Sequence, residues 1–373
     1  MKILMLSYEY PPLGGGASPI IRNLAEQLTK LGNTVDIITS GYNNLKRKER
    51  IGDLTVYRVP CIRRRKELSN TYEMFTYCLP TFWYSLYLTK KNRYDINHTH
   101  FILPTGIVSY FLKKTTNLPF IITSHGSDVP GYNPDRFSLQ HKFLFPIWKI
   151  IVKASDYVIS PSNSLKYLIL SNININKKIR VIPYGFDYYK FKPKNKKKKI
   201  LLSSRLLERK GIQYFLEAIK NLNLDYEINI IGDGPYKEKL IKKAREIKAN
   251  IFFRGWLDNN SEEYIKFFED SSIFVFPSSH ESFGVVLLEA MSAGCAIITS
   301  NASGCPEVVG DTAILINPKD PEDIRRGLIK VIENENLREC LGKKARKRVE
   351  NEFNWEKIAK EYLHIYKKVI ESH

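Results

Sequence analysis

The stretch HESFGVVLLEAMSAGCAIIT, His280–Thr299, follows the apolar run IFVFPS, and its reading decides the fold. Gly284 ends a short turn and Val285 to Ala293 is a helical run stopped by Gly294, so a buried strand feeds straight into a helix. A helix entered in this way aims the unpaired N–H groups of its first turn at the strand ends, which is an anion site. Having no side chain, Gly284 lets an oxyanion come close to the backbone. Two acids bracket this point: Glu281 in the turn, and Glu289 about one and a half turns into the helix. A plain helical accounting makes Glu289 a solvated or capping acid, yet its neighbours Leu287, Leu288, Ala290 and Met291 are apolar. An acid in that company needs a reason.

Outward from this stretch, short β-branched runs alternate with helical-period segments, the pattern of parallel βαβ units. Residues 3–6, 34–39, 54–59, 120–123, 157–160 and 180–182 are expected as strands of one sheet, and 200–203, 227–231, 251–253, 273–276, 296–299 and 313–316 as strands of a second. The chain of 373 residues is therefore expected to be α/β, with two Rossmann-like doubly wound parallel-sheet domains. The first spans 1–187 and the second 188–354; 355–373 forms a last amphipathic helix that is open to return to the first domain. The divide falls where Pro, Gly, Asp and a lysine tract replace apolar periodicity, and the tract, Lys192 to Lys199, reads as a solvated linker. In open parallel sheets ligands bind beyond the carboxyl ends of the strands, so chemistry is expected in a cleft where the two sheets face each other.

Composition narrows the classes. Five cysteines, Cys61, Cys78, Cys295, Cys305 and Cys340, are scattered with no Cys-x-x-Cys pair, which argues against a disulfide framework or a zinc site and for a cytoplasmic setting. The apolar run at Met1–Tyr10 is too short for a signal peptide, and no stretch reaches the roughly 18 apolar residues that span a bilayer. Net charge is +19 and lopsided: residues 1–190 carry 26 Lys+Arg against 12 Asp+Glu, the remainder 32 against 27. Arg63, Arg64, Arg65 and Lys66 precede the aromatic stretch Tyr72–Tyr87, and Lys90, Lys91 and Arg93 follow it. That segment reads either as one lying in an anionic membrane interface, with rings such as Phe75, Tyr77 and Trp83 at head-group depth, or as a buried helix with a basic end. No nucleic acid partner is expected, because no recognition motif accompanies the charge.

The Glu-x7-Glu arrangement from Glu281 to Glu289 resembles that of the retaining, nucleotide-sugar-dependent glycosyltransferases of the GT4 type, which have the two-domain GT-B fold; the resemblance covers essentially the whole chain. It implies that Glu281 holds donor-sugar hydroxyls, Glu289 the ribose, and the amides around Ser282, Phe283, Gly284 and Val285 the diphosphate. LLSSRLLERKG sets Arg205 and Lys210 five apart after a strand, where two cations can neutralise a diphosphate that gains charge as the glycosidic bond breaks. INIIGDGPYKEKL resembles the family's Gly-x-Gly turn, with Gly232 and Gly234 at a strand-to-helix junction and Pro235 at a first helical position. The FRGWLD stretch, Phe253 to Asp258, corresponds to the loop that holds the nucleobase, through Trp256 or Leu257.

In the first domain, SYEYPPLGGGA brings Gly15 and Gly16 to the start of the first helix. The dinucleotide fingerprint fails there, since Pro19 stands where its last glycine belongs, which disfavours a dehydrogenase. The resemblance puts this loop near the donor's β-phosphate and the acceptor. ITSHGSD places His125 and Asp128 at a strand's carboxyl end, lining the site; His98 and His100 of YDINHTHFILPTG read as structural. The implied reaction moves a sugar from a nucleoside-diphosphate-sugar to a hydroxyl acceptor, such as a lipid-linked or cell-surface glycan precursor, with retention and front-face attack. No cofactor and no metal is expected, since Arg205 and Lys210 supply the charge. Cytoplasmic placement, peripheral on the inner face of the cell membrane, goes with this reading. A same-fold epimerase or phosphorylase, and a basic nucleic-acid-binding protein, are the alternatives.

Overall fold

The computed structural model describes residues 1–67, 69–132, 138–174 and 179–373. It consists of two compact units, one of Met1–Gly185 with Trp355–His373 and the other of Phe186–Asn354.

The first unit runs β1 (Lys2–Leu6), α1 (Ala17–Lys30), β2 (Thr34–Ser40), β3 (Lys48–Ile51), β4 (Leu54–Val59), α2 (Thr71–Thr76), α3 (Cys78–Lys91) and β5 (Ile96–His100). It continues α4 (Thr105–Thr116), β6 (Phe120–Thr123), α5 (Ser138–Ala154), β7 (Tyr157–Ser160), α6 (Asn163–Asn172) and β8 (Ile179–Val181). Among the described residues its sheet has the order β3-β4-β2-β1-β5-β6-β7-β8, parallel except for the antiparallel edge strand β3. The chain leaves β1 toward β2 and later returns to place β5 on the other side of β1, so the topological switch lies between β1 and β5.

The second unit runs β9 (Lys197–Ser203), α7 (Ile212–Ala218), β10 (Glu227–Ile231), α8 (Lys237–Ala244), β11 (Asn250–Gly255), α9 (Glu262–Asp270) and β12 (Ser271–Phe276). It continues α10 (Val285–Ser292), β13 (Ala296–Ser300), α11 (Cys305–Val309), β14 (Ala313–Ile316), α12 (Pro321–Glu333) and α13 (Glu335–Glu352). All six strands are parallel, in the order β11-β10-β9-β12-β13-β14, which puts the switch between β9 and β12. The apolar runs of the two central strands, Ile200–Leu202 in β9 and Ile273–Phe276 in β12, are what a sheet covered by helices on both faces requires.

The last helix, α14 (Trp355–Glu371), belongs to the first unit. Its stripe Ile358, Tyr362, Ile365, Tyr366 and Val369 is buried, with the Tyr366 hydroxyl 2.7 Å from His98 Nδ1.

Several expectations change. The lysine tract is no linker: Lys197–Lys199 open strand β9, and Lys194, Lys197, Lys198 and Lys199 pair with Glu269, Asp270, Asp225 and Glu227. Neighbouring acids on other elements, invisible to a reading along the chain, make a charged run compatible with a strand. Strand β5 was not among the expected strands because Asn97, His98 and His100 give INHTH a polar look, although all five residues are buried. Edge strand β3 was likewise absent, being exposed and charged. Pro235 lies two residues ahead of α8, in the turn. Nor does the Tyr72–Tyr87 stretch behave as one segment: Tyr77 is fully buried and donates its hydroxyl to Ile38 O at 2.9 Å, while α3 turns other aromatics outward.

Candidate active site

In the second unit the loops leaving β9 and β12, the two strands at the switch, are fastened to each other. Ser279 N–H and Oγ–H both donate to Arg209 O, at 2.9 and 3.1 Å. The loop after β9 closes with a 3-10 turn, Glu208–Lys210, and Gly211 then starts α7. At this junction Lys210 Nζ donates to Glu281 Oε1, joining two of the sequence-predicted residues across the switch; both side chains are largely shielded. Lys210 also lies 5.4 Å over the Phe276 ring. Glu281 is held by its backbone as well: its N–H donates to Ser303 Oγ at 3.0 Å and its carbonyl accepts from Gly304 N–H at 3.1 Å. Arg205 follows β9 and is exposed.

Gly284 is the residue that enters α10, with φ +98°, a conformation other residues adopt only with strain. Its carbonyl takes Leu287 N–H at 2.9 Å, and Val285 and Val286 begin the helix half-buried. Phe283 turns its ring into the core against Phe353, and the backbone of Ser282 and Phe283 packs closely on Gly304. Glu289 is buried and accepts from the Tyr264 hydroxyl at 2.6 Å, while that oxygen lies 3.2 Å from Ser203 Oγ. Burial pushes the Glu289 carboxyl up to about 7, against the opposing pull of the Tyr264 hydrogen bond and the Lys190 charge. Tyr264 and Lys190 had no sequence signal, since one is a helix residue 25 positions away and the other looks like linker.

The neighbouring turn after β10 is equally tight. Gly232 N–H donates to Gly255 O at 2.7 Å, and a Cβ at Gly232 would stand 1.8 Å from Ser204 O, so the turn presses against the loop that carries Arg205. Trp256 and Leu257 follow β11; Trp256 is exposed and Leu257 half-buried.

In the first unit the site residues belong to the carboxyl edge of its own sheet. Gly15 and Gly16 precede α1, with Gly15 N–H donating to Glu9 Oε2 at 3.1 Å and open space where either Cβ would be. Asp128 is buried and fully committed: Ile102 N–H, Ser124 Oγ–H, His125 N–H and Gly126 N–H all donate to it, at 2.7 to 3.1 Å. It is the staple that shapes the loop after β6. His125 is consequently fixed, with Nδ1 2.8 Å from the Tyr184 hydroxyl and Nε2 3.2 Å from His100 Nδ1. His98 lies against His100, ring centroids 4.2 Å apart, and shares Nε2 with Thr123 Oγ1 at 2.8 Å. Burial drives His98 and His125 down to about 3 and holds His100 well below the ordinary imidazole value, so all three are neutral imidazoles near pH 7. Among the described residues no group of three or more His, Cys, Asp or Glu is arranged to hold a metal ion.

Two family models match the chain, Glycosyltransferase Family 4 over residues 14–189 and Glycosyl transferases group 1 over residues 187–348. A glycosyltransferase of Methanocaldococcus jannaschii is 31% identical, with 99% of each chain covered. Among solved structures, sucrose-phosphate synthase from Thermosynechococcus elongatus superposes with a TM-score of 0.86 at 22% identity, over 100% of both chains. HepE of Anabaena, solved in complex with UDP-glucose, has a TM-score of 0.76 at 16% identity, over 99% of this chain and 100% of that one. With the two parallel sheets, their switch points and a full-length relative above 30% identity, the chain belongs to the GT4-type, group 1 glycosyltransferases and is a transferase enzyme of GT-B fold.

Proposed function

We propose that the enzyme transfers a sugar, with retention at the anomeric carbon, from a nucleoside-diphosphate-sugar to a hydroxyl of a lipid-linked glycan precursor. The observation that carries this reading is the Lys210–Glu281 pair at the β9/β12 switch, beside the glycine-entered helix α10. A lysine ammonium has three donors, and Glu281 occupies one, which leaves two for a phosphate oxygen. Glu281 has a second carboxylate oxygen for a sugar hydroxyl. The α10 terminus, through the amides of Gly284 and Val285, faces the diphosphate, Arg205 closes on it from the β9 loop, and Glu289 takes the ribose hydroxyls. Trp256 and Leu257 hold the base.

Chemistry then needs only a departing diphosphate that is well stabilised. As the glycosidic bond breaks, negative charge grows on the phosphate oxygen and Arg205, Lys210 and the helix terminus meet it, which stabilises the transition state more than the ground state. The departing phosphate oxygen takes the acceptor's proton on the same face. His125, whose two ring nitrogens meet Tyr184 and His100, shapes the carboxyl edge of the first unit's own sheet, and Asp128 holds the loop on which it stands. These cations fill the role a divalent metal has in other transferases, so a chelator leaves turnover unchanged.

The deciding experiment is a panel of UDP-, GDP- and ADP-sugars in a thermal-shift assay. A donor that binds the folded state at about a hundred times its Kd stabilises by about 2.7 kcal/mol. Lys210→Ala should lower turnover by at least about a hundredfold with folding intact, a loss of leaving-group stabilisation. Silence across the donor panel, or near-normal turnover in Lys210→Ala, rejects the reading.

A further inference from the structure

Helix α3 is built inside out for a helix that only covers a sheet. It buries Leu88 together with Thr81 and Ser85, whose hydroxyls turn back to the carbonyls of Tyr77 and Thr81, both at 2.6 Å. Leu79, Trp83 and Tyr87, four residues apart, stand outward, Leu79 66% and Trp83 61% exposed. A helix whose outer face met only water would reverse this pattern.

The neighbouring helices continue the surface. On α4, which packs on α3, Phe111 is exposed and its ring lies 6.4 Å from Phe82, itself 5.4 Å from Trp83. On α5, which packs on α4, Phe143 and Ile147 repeat the spacing, with Phe143 82% exposed. Scattered exposed apolar residues are ordinary, but stripes on α3 and α5 with Phe111 exposed on α4 between them mark a docking surface.

Charge decides what covers it. Helices α3, α4 and α5 contain no Asp or Glu, while Lys90, Lys91 and Lys114 are exposed at the carboxyl ends of the first two. The Lys91 and Lys114 ammoniums lie 5.9 Å over the Tyr87 ring and 6.0 Å over the Tyr110 ring. A second copy docked through the same face would set lysine against lysine with no acid to answer. Nucleic acid would satisfy the lysines and leave the apolar stripes without a partner. An anionic bilayer supplies phosphates and acyl chains together.

We infer that the outer face of α3–α5 docks on an anionic lipid surface, with Leu79, Trp83 and Phe143 at the acyl boundary and Lys90, Lys91 and Lys114 among the head groups. Helices of βαβ units run back from the carboxyl edge of the sheet, so Leu79, near the start of α3, lies toward the edge that carries His125. Docking thus brings the first unit's acceptor-side loops to the lipid; that purpose rests on the lipid-borne acceptor proposed above, whereas the docking itself does not.

The test is flotation of the full chain with phosphatidylcholine vesicles, with and without phosphatidylglycerol, across a salt series. Wild type should float with the anionic vesicles only, less at high salt. Lys90→Gln, Lys91→Gln and Lys114→Gln combined should weaken partitioning by about fivefold for each lysine removed. Leu79→Ser with Trp83→Ser should abolish flotation, with circular dichroism and donor-induced thermal shift unchanged. Lack of flotation in wild type, equal flotation with neutral vesicles, or dimerisation or RNA retention lost in these same variants overturns the inference. Donor binding is read without vesicles and flotation without donor, so each idea fails separately.

Discussion

Glu289 shows how burial turns one side chain into a pH-sensitive element. Its carboxyl has left water for the company of Leu287, Leu288, Ala290 and Met291, and the Tyr264 hydroxyl only partly replaces the lost hydration. The native state therefore binds the proton more tightly than the unfolded chain. Stability from this group is complete below the ordinary value of 4.5 and is lost as the pH rises through about 7. Between those limits wild type should lose about 3 kcal/mol that Glu289→Gln keeps. Urea midpoints of both proteins at intervals from pH 4.5 to 8 read this directly, and parallel curves would refute it. With Glu289 in its proposed role as ribose acceptor, donor affinity should run the other way, falling below pH 7 as the carboxylate is protonated. At this scale sequence pointed to Glu289 through its apolar neighbours, yet its partner Tyr264 could be found only in three dimensions.

Among elements, the strand-to-helix turns carry the design of the second unit. Gly232 has φ +131° and no room for a Cβ beside Ser204 O. Gly232→Ala should cost about 3 kcal/mol, because backbone on both sides would have to shift, and should reduce donor binding by moving the Arg205 loop. Gly15→Ala, with nothing within 4 Å of the added carbon, should stay within about 0.5 kcal/mol of wild type. Melting temperatures of the two variants distinguish a glycine demanded by packing from one that packing leaves free. Helix α3 teaches the converse lesson, since an aromatic-rich run became a helix that buries Thr81, Ser85 and Leu88 and leaves Trp83 and Tyr87 outside.

On the scale of the whole molecule, the chain's end completes its beginning. Helix α14 packs on α1 and β5, and Tyr366 and Tyr362 reach His98 and Thr123, the latter at 3.3 Å. Tyr366→Phe should cost about 1–3 kcal/mol, leaving buried His98 short of a partner. Deleting residues 355–373 should leave the first unit unable to fold, since most of the helix's apolar face is core. Limited proteolysis of the deletion variant reads this, with the second unit surviving and the first degraded; a protease-resistant first unit would contradict it.

Periodicity, glycine placement and the Glu281–Glu289 spacing were enough to determine, without coordinates, an α/β chain of two parallel sheets with a glycine-entered helix after one strand. Such signals are local, a matter of side-chain period and of backbone conformations only glycine adopts freely. Tertiary structure alone decided that Lys210 meets Glu281, that Tyr264 holds Glu289, that three histidines share one buried row, and that the lysine tract opens a strand. Each of these joins groups far apart in the chain, and their energies depend on burial and partnership, which no run of residues contains by itself.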